Sequence, residues 1–82
     1  MSDFNGKMYN VHSGNLAQVG WEYDETNKCG VMRAMFKTGR VYDYWPVTKE
    51  KFGEIFKQDS KGSWFNREIV NNKSISYEEV TD

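Results

Sequence analysis

The nine residues Gly39-Arg40-Val41-Tyr42-Asp43-Tyr44-Trp45-Pro46-Val47 decide how the rest of the chain is read. Gly39 is a turn residue, Val41 to Trp45 are β-branched and aromatic side chains of the kind strands favour, and Pro46 stops the ladder because it has no N–H to donate. A short strand therefore opens from a turn and empties into a helix. Alternation across the strand sends Tyr42 and Tyr44 to one face and Val41, Asp43 and Trp45 to the other. One of these faces is core, and the other is available as a binding platform.

Upstream, Leu16 to Tyr23 alternates, with Ala17, Val19, Trp21 and Tyr23 pointing one way and Gln18, Gly20 and Glu22 the other, as a half-buried strand does. The polar run Asp24-Glu25-Thr26-Asn27-Lys28 turns the chain into Cys29 to Lys37, where Met32, Ala34 and Phe36 alternate with Arg33, Met35 and Lys37. Lys37-Thr38-Gly39-Arg40 supplies the second turn, with Gly39 expected at positive φ. Three strands joined by short turns predict an antiparallel meander.

Downstream, Thr48 is placed to cap a helix that puts Phe52, Ile55 and Phe56 on one face, with Lys49, Glu50, Lys57 and Asp59 off it. That helix is expected to end near Ser60-Lys61-Gly62, and Ser63 to cap a second one with Trp64, Phe65, Ile69 and Val70 on its apolar side and Asn71 and Asn72 as its stop. The resulting fold class is α+β, a three-stranded antiparallel β-meander followed by two short helices packed on one face. Residues 1–10 read as an N-terminal arm, 11–72 as the domain, and 73–82 as an acidic C-terminal tail, frayed or added as an edge segment. Two short helices cover one face of such a sheet, which leaves the other wet, covered by arm or tail, or occupied by a partner.

Composition narrows the function classes. The 82 residues suffice for one domain with one modest core, and 16% aromatic content makes a core of rings credible. A lone cysteine, Cys29, excludes an internal disulfide framework and suits a reducing cytosol, so Cys29 is read as a small strand residue. The N-terminus has no apolar run of signal-peptide length and nowhere is there a membrane-spanning stretch, which leads to the expectation of a cytoplasmic protein. The Asn72-Lys73-Ser74 sequon is then a chance match. A net charge of −1 argues against a simple phosphate-coating binder, yet residues 28–73 hold ten Lys or Arg against five Asp or Glu, with the acidic excess in the first hairpin and tail, which reads either as a locally positive surface or as ordinary solvated charge of both signs.

Several stretches carry a family resemblance: Val11-His12-Ser13-Gly14-Asn15-Leu16, Val19-Gly20-Trp21, Phe36 to Tyr44 with Val47, and Ser60-Lys61-Gly62-Ser63-Trp64-Phe65-Asn66-Arg67-Glu68-Ile69. Together they resemble the KTSC domain, a small module at the C-terminus of some lysyl-tRNA synthetases that is also free-standing in bacteria and phages. The most specific parts are the Tyr42-x-Tyr44 pair and the Ser60 to Asn66 block. Trp21 stands where the family usually has tyrosine, and Pro46 where it usually has a polar residue. The resemblance implies no settled activity; its synthetase context implies RNA binding.

An enzyme is hard to assemble from these residues. His12 and Cys29 are the only members of their kinds, which excludes a histidine–cysteine metal cluster within the chain, and no phosphate-cradling glycine loop is present. Neither catalysis, a cofactor nor a metal is expected. A nucleic-acid platform needs rings to stack on bases and cations to hold phosphates, which Tyr42 and Tyr44 with Arg33, Lys37 and Arg40 offer in kind. The same tyrosines are also ordinary core rings with their hydroxyls at the surface. Ser60-Lys61-Gly62-Ser63 at the start of the second helix reads first as a capped interhelical turn and otherwise as a source of backbone N–H groups for a phosphate, with Lys61 and Arg67 helping, and Asn66 after two rings is an unusual choice for a merely structural turn. The expected function is a non-enzymatic binding module for nucleic acid, RNA favoured, or for a nucleic-acid-processing complex. The alternative is a phage-type inhibitor that occludes a host protein, anchored by Trp21, Trp45 or Trp64.

Overall fold

Strand β4 (Val41–Trp45) is as short as the sequence suggests, and the sheet is built outward from it in both directions. The computed structural model describes residues 4–81, in which β1 (Met8–Asn10), β2 (Leu16–Asp24), β3 (Cys29–Phe36), β4 and β5 (Ser76–Glu79) form one antiparallel sheet in sequential order. The fold is α+β, but the sheet has five strands where the sequence predicts three. The two extra strands come from the arm and the tail: Tyr9 pairs with Val19, and Tyr44 with Tyr77. They are three and four residues long and carry no buried side chain, so little hydrophobic alternation marks them. Their pairing satisfies backbone groups that β2 and β4 would otherwise present as bare edges. Met1 to Asp3 of the expected arm and Asp82 of the tail lie outside the described residues.

Two cross-strand rows set the inner face. Trp21, Met32, Tyr44 and Tyr77 lie abreast in one, and Val19, Ala34, Tyr42 and Glu79 in the next. A bulge at Ala17 breaks the expected alternation of β2, because Leu16 pairs with Phe36 while Gln18 pairs with Met35. The extra residue turns Leu16, fully buried, onto the core side in place of Ala17.

Helix α1 (Lys49–Glu54) tightens into a 3₁₀ turn over Ile55–Lys57, and helix α2 (Lys61–Phe65) widens into a π turn over Asn66–Val70. Thr48 caps α1 as expected, its Oγ1 accepting from the Lys51 N–H at 3.1 Å. Gly39 has φ +94°, as its turn requires. The second cap differs from expectation. Ser60 occupies the N-cap and its carbonyl accepts from the Trp64 N–H, so Ser63 lies inside the helix, where its hydroxyl accepts from Ser60 Oγ. Both helices cover the inner face, where Phe52, Ile55, Trp64, Phe65 and Ile69 meet Leu16, Val19, Met32, Ala34 and Tyr44. The fully buried Leu16, Val19, Met32, Ile55, Phe65 and Ile69 side chains stabilise the domain by about 1.5–3 kcal/mol each. Phe56 departs from the expected apolar face: it is exposed, its ring set edge-on against Tyr9 of β1.

The outer face holds a different interaction. Arg33 and Asp43 face each other across β3 and β4, with Arg33 Nε 2.7 Å from Asp43 Oδ1 and Nη2 3.0 Å from Oδ2. Asp43 is fully buried, and the ring of Phe4 lies 4.6 Å from the guanidinium. The described part of the arm thus covers this face at its centre.

Removing one partner of a buried bidentate pair leaves the other charge uncompensated, so Asp43→Ala should lower stability by about 3–5 kcal/mol in urea unfolding. Glu54→Ala, which breaks only the exposed contact with Lys57, should cost no more than about 0.5 kcal/mol. Equal losses for the two variants would show that the Arg33–Asp43 pair is not the structural contact described.

Candidate functional site

Three recesses where α2 meets the sheet are linked by shared lining residues into one grooved surface. The first, about 410 Å³, is bounded by Phe36, Tyr42, Tyr44, Asn66, Val70 and Tyr77. The second, about 380 Å³, shares Phe36 and Tyr42 and adds Gly14, Asn15, Lys37, Thr38 and Arg40. The third, about 540 Å³, shares Gly14, Asn15 and Asn66 and runs along His12, Ser13, Asp59 and Ser60 to Ser63. Asn66 therefore stands where the aromatic and polar parts of the groove join.

The aromatic floor follows from strand pairing. Tyr44 packs edge-on against Phe65 with ring centroids 5.2 Å apart, Phe36 lies 5.9 Å from both Phe65 and Tyr42, and Tyr77 sits 6.3 Å from both Tyr42 and Tyr44. These separations are those of favourable tilted and edge-to-face pairs. Tyr42 is half-buried, and Tyr77 is 67% exposed. Tyr44 is only 5% exposed, and burial, reinforced by the neighbouring Tyr42 and Tyr77 phenols, pushes its own phenol up to about 12. Tyr44 is therefore floor, with no ring face to offer a ligand.

The polar part is held by a close approach. A Cβ at Gly62 would lie 2.7 Å from Asn15 Oδ1 and 3.1 Å from Ser13 Oγ, so any larger residue would push these side-chain ends aside and disturb the hydrogen bond between them. Ser13 Oγ accepts from the N–H groups of Asn15 and Leu16 and donates to Asn15 Oδ1 at 3.0 Å, which fixes the loop. The Asn15 carbonyl in turn accepts from the Lys37 N–H at 2.8 Å, anchoring the loop to the end of β3.

Of the eight side chains singled out in the sequence, the groove collects Tyr42, Lys37, Arg40, Lys61 and Asn66 at its walls and Tyr44 beneath them. Two lie elsewhere. Arg33 is on the opposite face of the sheet, because it alternates with Met32 and Ala34, and it is engaged by Asp43. Arg67 points toward the α1 side, its Nε 3.1 Å from Glu68 Oε2, in a cleft shared with Lys51 and Trp64. Hydrogen bonds from Lys51 and Arg67 hold the Glu68 carboxyl below its usual range. The paired-tyrosine platform with Arg33 beside it is thus corrected to a groove edged by Lys37 and Arg40. Nor do all three tryptophans serve as free anchors: Trp64 is core, and Trp21 donates its Nε1–H to the Val47 carbonyl at 2.7 Å.

Sequence reasoning missed Tyr77, Phe36 and Asn15 as groove residues. The signal for Tyr77 was the Ile75-x-Tyr77 alternation within an otherwise polar tail. Asn15 and Phe36 carry no local mark, since the bulge and the Gly62 approach bring them into place. Cys29 is half-buried, and burial with the nearby Asp24 carboxylate pushes its thiol up, away from the reactive thiolate form. Among the described residues no group of His, Cys, Asp or Glu side chains is arranged to hold a metal ion, and no helix is long and apolar enough to cross a membrane.

Comparison with known families places the KTSC domain on residues 12–72, which covers β2, β3, β4, α1 and α2 and, of the groove-lining residues, all but Tyr77. No curated protein matches the chain.

Alkaline titration tests the assignment of Tyr44 to the floor. Its folded pKa lies above the ordinary value of 10.0, so the unfolded chain releases this proton first, and the associated stability is present below pH 10 and lost as pH rises toward about 12. Ultraviolet titration should show one phenol ionising near 12, and Tyr44→Phe should remove that late step. A late step that persists in Tyr44→Phe would place the buried phenol elsewhere.

Proposed function

The chain belongs to the KTSC domain family, and on that premise we propose that it is a binding module for single-stranded nucleic acid, with RNA the favoured form, acting alone or within a nucleic-acid-processing complex. The observation that carries the reading is the groove itself, in which partly exposed rings, the amides of Asn15 and Asn66 and the cations Lys37, Arg40 and Lys61 border adjoining recesses. Tyr42 and Tyr77 offer ring surface of the kind on which bases stack, and each such contact is worth about 1–3 kcal/mol. Lys37 and Arg40, both exposed, stand at the sheet end of the same recess, where they can follow a phosphate backbone. The role we assign is grip without chemical conversion: Ser13 and Ser60, which share the polar recess with His12, donate to Asn15 Oδ1 and Ser63 Oγ rather than to the imidazole.

A second reading is a protein partner, in which the domain occludes a site on a larger host protein. The exposed pair Tyr9 and Phe56 at the β1 edge, ring centroids 5.6 Å apart, favours it.

Fluorescence anisotropy with a labelled single-stranded oligonucleotide separates the two. On the first reading, Tyr77→Ala weakens binding by about 5- to 150-fold, the span of one lost stack. The Lys37→Ala/Arg40→Ala double variant flattens the log K against log salt slope by about 1.4, the contribution of two single-strand phosphate contacts. Tight binding to a host protein that is insensitive to salt and to both sets of changes, but lost in Tyr9→Ala/Phe56→Ala, would favour the second.

A further inference from the structure

We infer that the polar end of the groove is a ribose pocket that reads the 2′-hydroxyl of the nucleotide stacked at the aromatic end, making the site selective for RNA over DNA. This inference rests on the nucleic-acid reading above and adds to it a sugar contact with named residues.

The charge at that end decides between phosphate and sugar. Its one lysine, Lys61, already donates from Nζ to the Gln58 carbonyl at 2.9 Å, and the carboxylate of Asp59 lies in the same wall. A phosphate would meet one engaged cation and one anion there beside the single imidazole of His12, whereas Lys37 and Arg40, at the other end of the groove, have no acid among their co-lining residues. The polar end suits a neutral, hydroxyl-bearing group instead.

Its hydrogen-bonding capacity fits a hydroxyl in particular. Among the described residues, neither end of the Asn66 amide is committed to a side-chain hydrogen bond, and Asn15 uses its Oδ1 for Ser13 while its Nδ2 remains available. Ser63 Oγ accepts from Ser60 at 2.9 Å, which leaves its own O–H free to donate outward. A 2′-hydroxyl both donates and accepts, and this set answers in both senses. Asn66 also lines the aromatic recess with Tyr42 and Tyr77, so a base lying on those rings carries its sugar toward the amide. The π turn that begins at Asn66, where its carbonyl accepts from the Asn71 N–H at 2.9 Å, holds this residue at the join.

The test compares three single strands of one uracil-containing sequence, made as RNA, as deoxyuridine DNA and as 2′-O-methyl RNA, by anisotropy on the whole chain. RNA should bind about 3- to 10-fold tighter than deoxyuridine DNA per sugar read, the range of one net hydrogen bond. The 2′-O-methyl strand should lose that advantage because its oxygen can no longer donate. Asn66→Ala should bring the RNA-to-DNA ratio toward one, and Ser63→Ala, an exposed change with little risk to folding, should lower it in the same direction. Equal binding of RNA and deoxyuridine DNA by the unmodified chain overturns the ribose pocket while the nucleic-acid reading stands. An RNA preference that survives both variants also overturns it. Binding of none of the three strands overturns both readings together.

Discussion

The edge-to-face contact between Tyr44 in β4 and Phe65 in α2 is the interaction on which the rest of the structure depends. Helix α2 is five residues long, too short to hold its conformation without packing, and it is seated on the sheet by Phe65 and Trp64. Once Phe65 meets Tyr44, the chain that follows α2 passes beside Tyr42, and Asn66 stands over the same recess. Gly62 then brings the start of the helix against Ser13 and Asn15. The groove is a consequence of one helix being docked from both ends.

The two faces of β4 divide structure and recognition between them. Asp43 points outward to a bidentate, fully buried pair with Arg33, beneath the ring of Phe4. An arginine committed this way is expensive to withdraw, since freeing it would leave the Asp43 carboxylate buried without its partner. Tyr42 points inward to a rim that is only half covered, and there the exposed cations Lys37 and Arg40 carry no such commitment to a buried acid. Charge that stabilises the fold and charge that meets a ligand are therefore found on opposite sides of the sheet.

Residues whose neighbours lie close along the chain are legible from the amino-acid sequence alone. Alternation in β3 places Met32 and Ala34 in the core, and the capping chemistry of Thr48 and the turn at Gly39 depend on three or four adjacent residues. The features that alternation and capping leave unmarked depend on distant partners. Strands β1 and β5 exist because β2 and β4 have edges to cover, and in a segment such as Ser76–Glu79, with every side chain exposed, the Ile75-x-Tyr77 spacing is a faint mark. The bulge at Ala17 reverses which neighbour faces inward, and no glycine or proline marks it. Residue types alone bring together most of the groove, but alternation does not distinguish a sealed Tyr44 from the exposed Tyr77 that the tail supplies. Nor does it reveal that Arg33 and Arg67 turn toward acids elsewhere.

Tyr77 also shows how a segment outside the family match contributes to the groove. The KTSC domain covers residues 12–72, and β5 lies beyond it, yet the β4–β5 pairing puts the Tyr77 ring beside Tyr42 and Tyr44. The most direct test of the account is an amide chemical-shift titration of the whole chain with a single-stranded RNA hexanucleotide. The account predicts that the shifted resonances cluster at Asn15, Lys37, Tyr42, Asn66 and Tyr77 and leave Arg33 and Asp43 unmoved. Shifts centred on the Arg33–Asp43 face or on Tyr9 and Phe56, or no shifts at all, would contradict it.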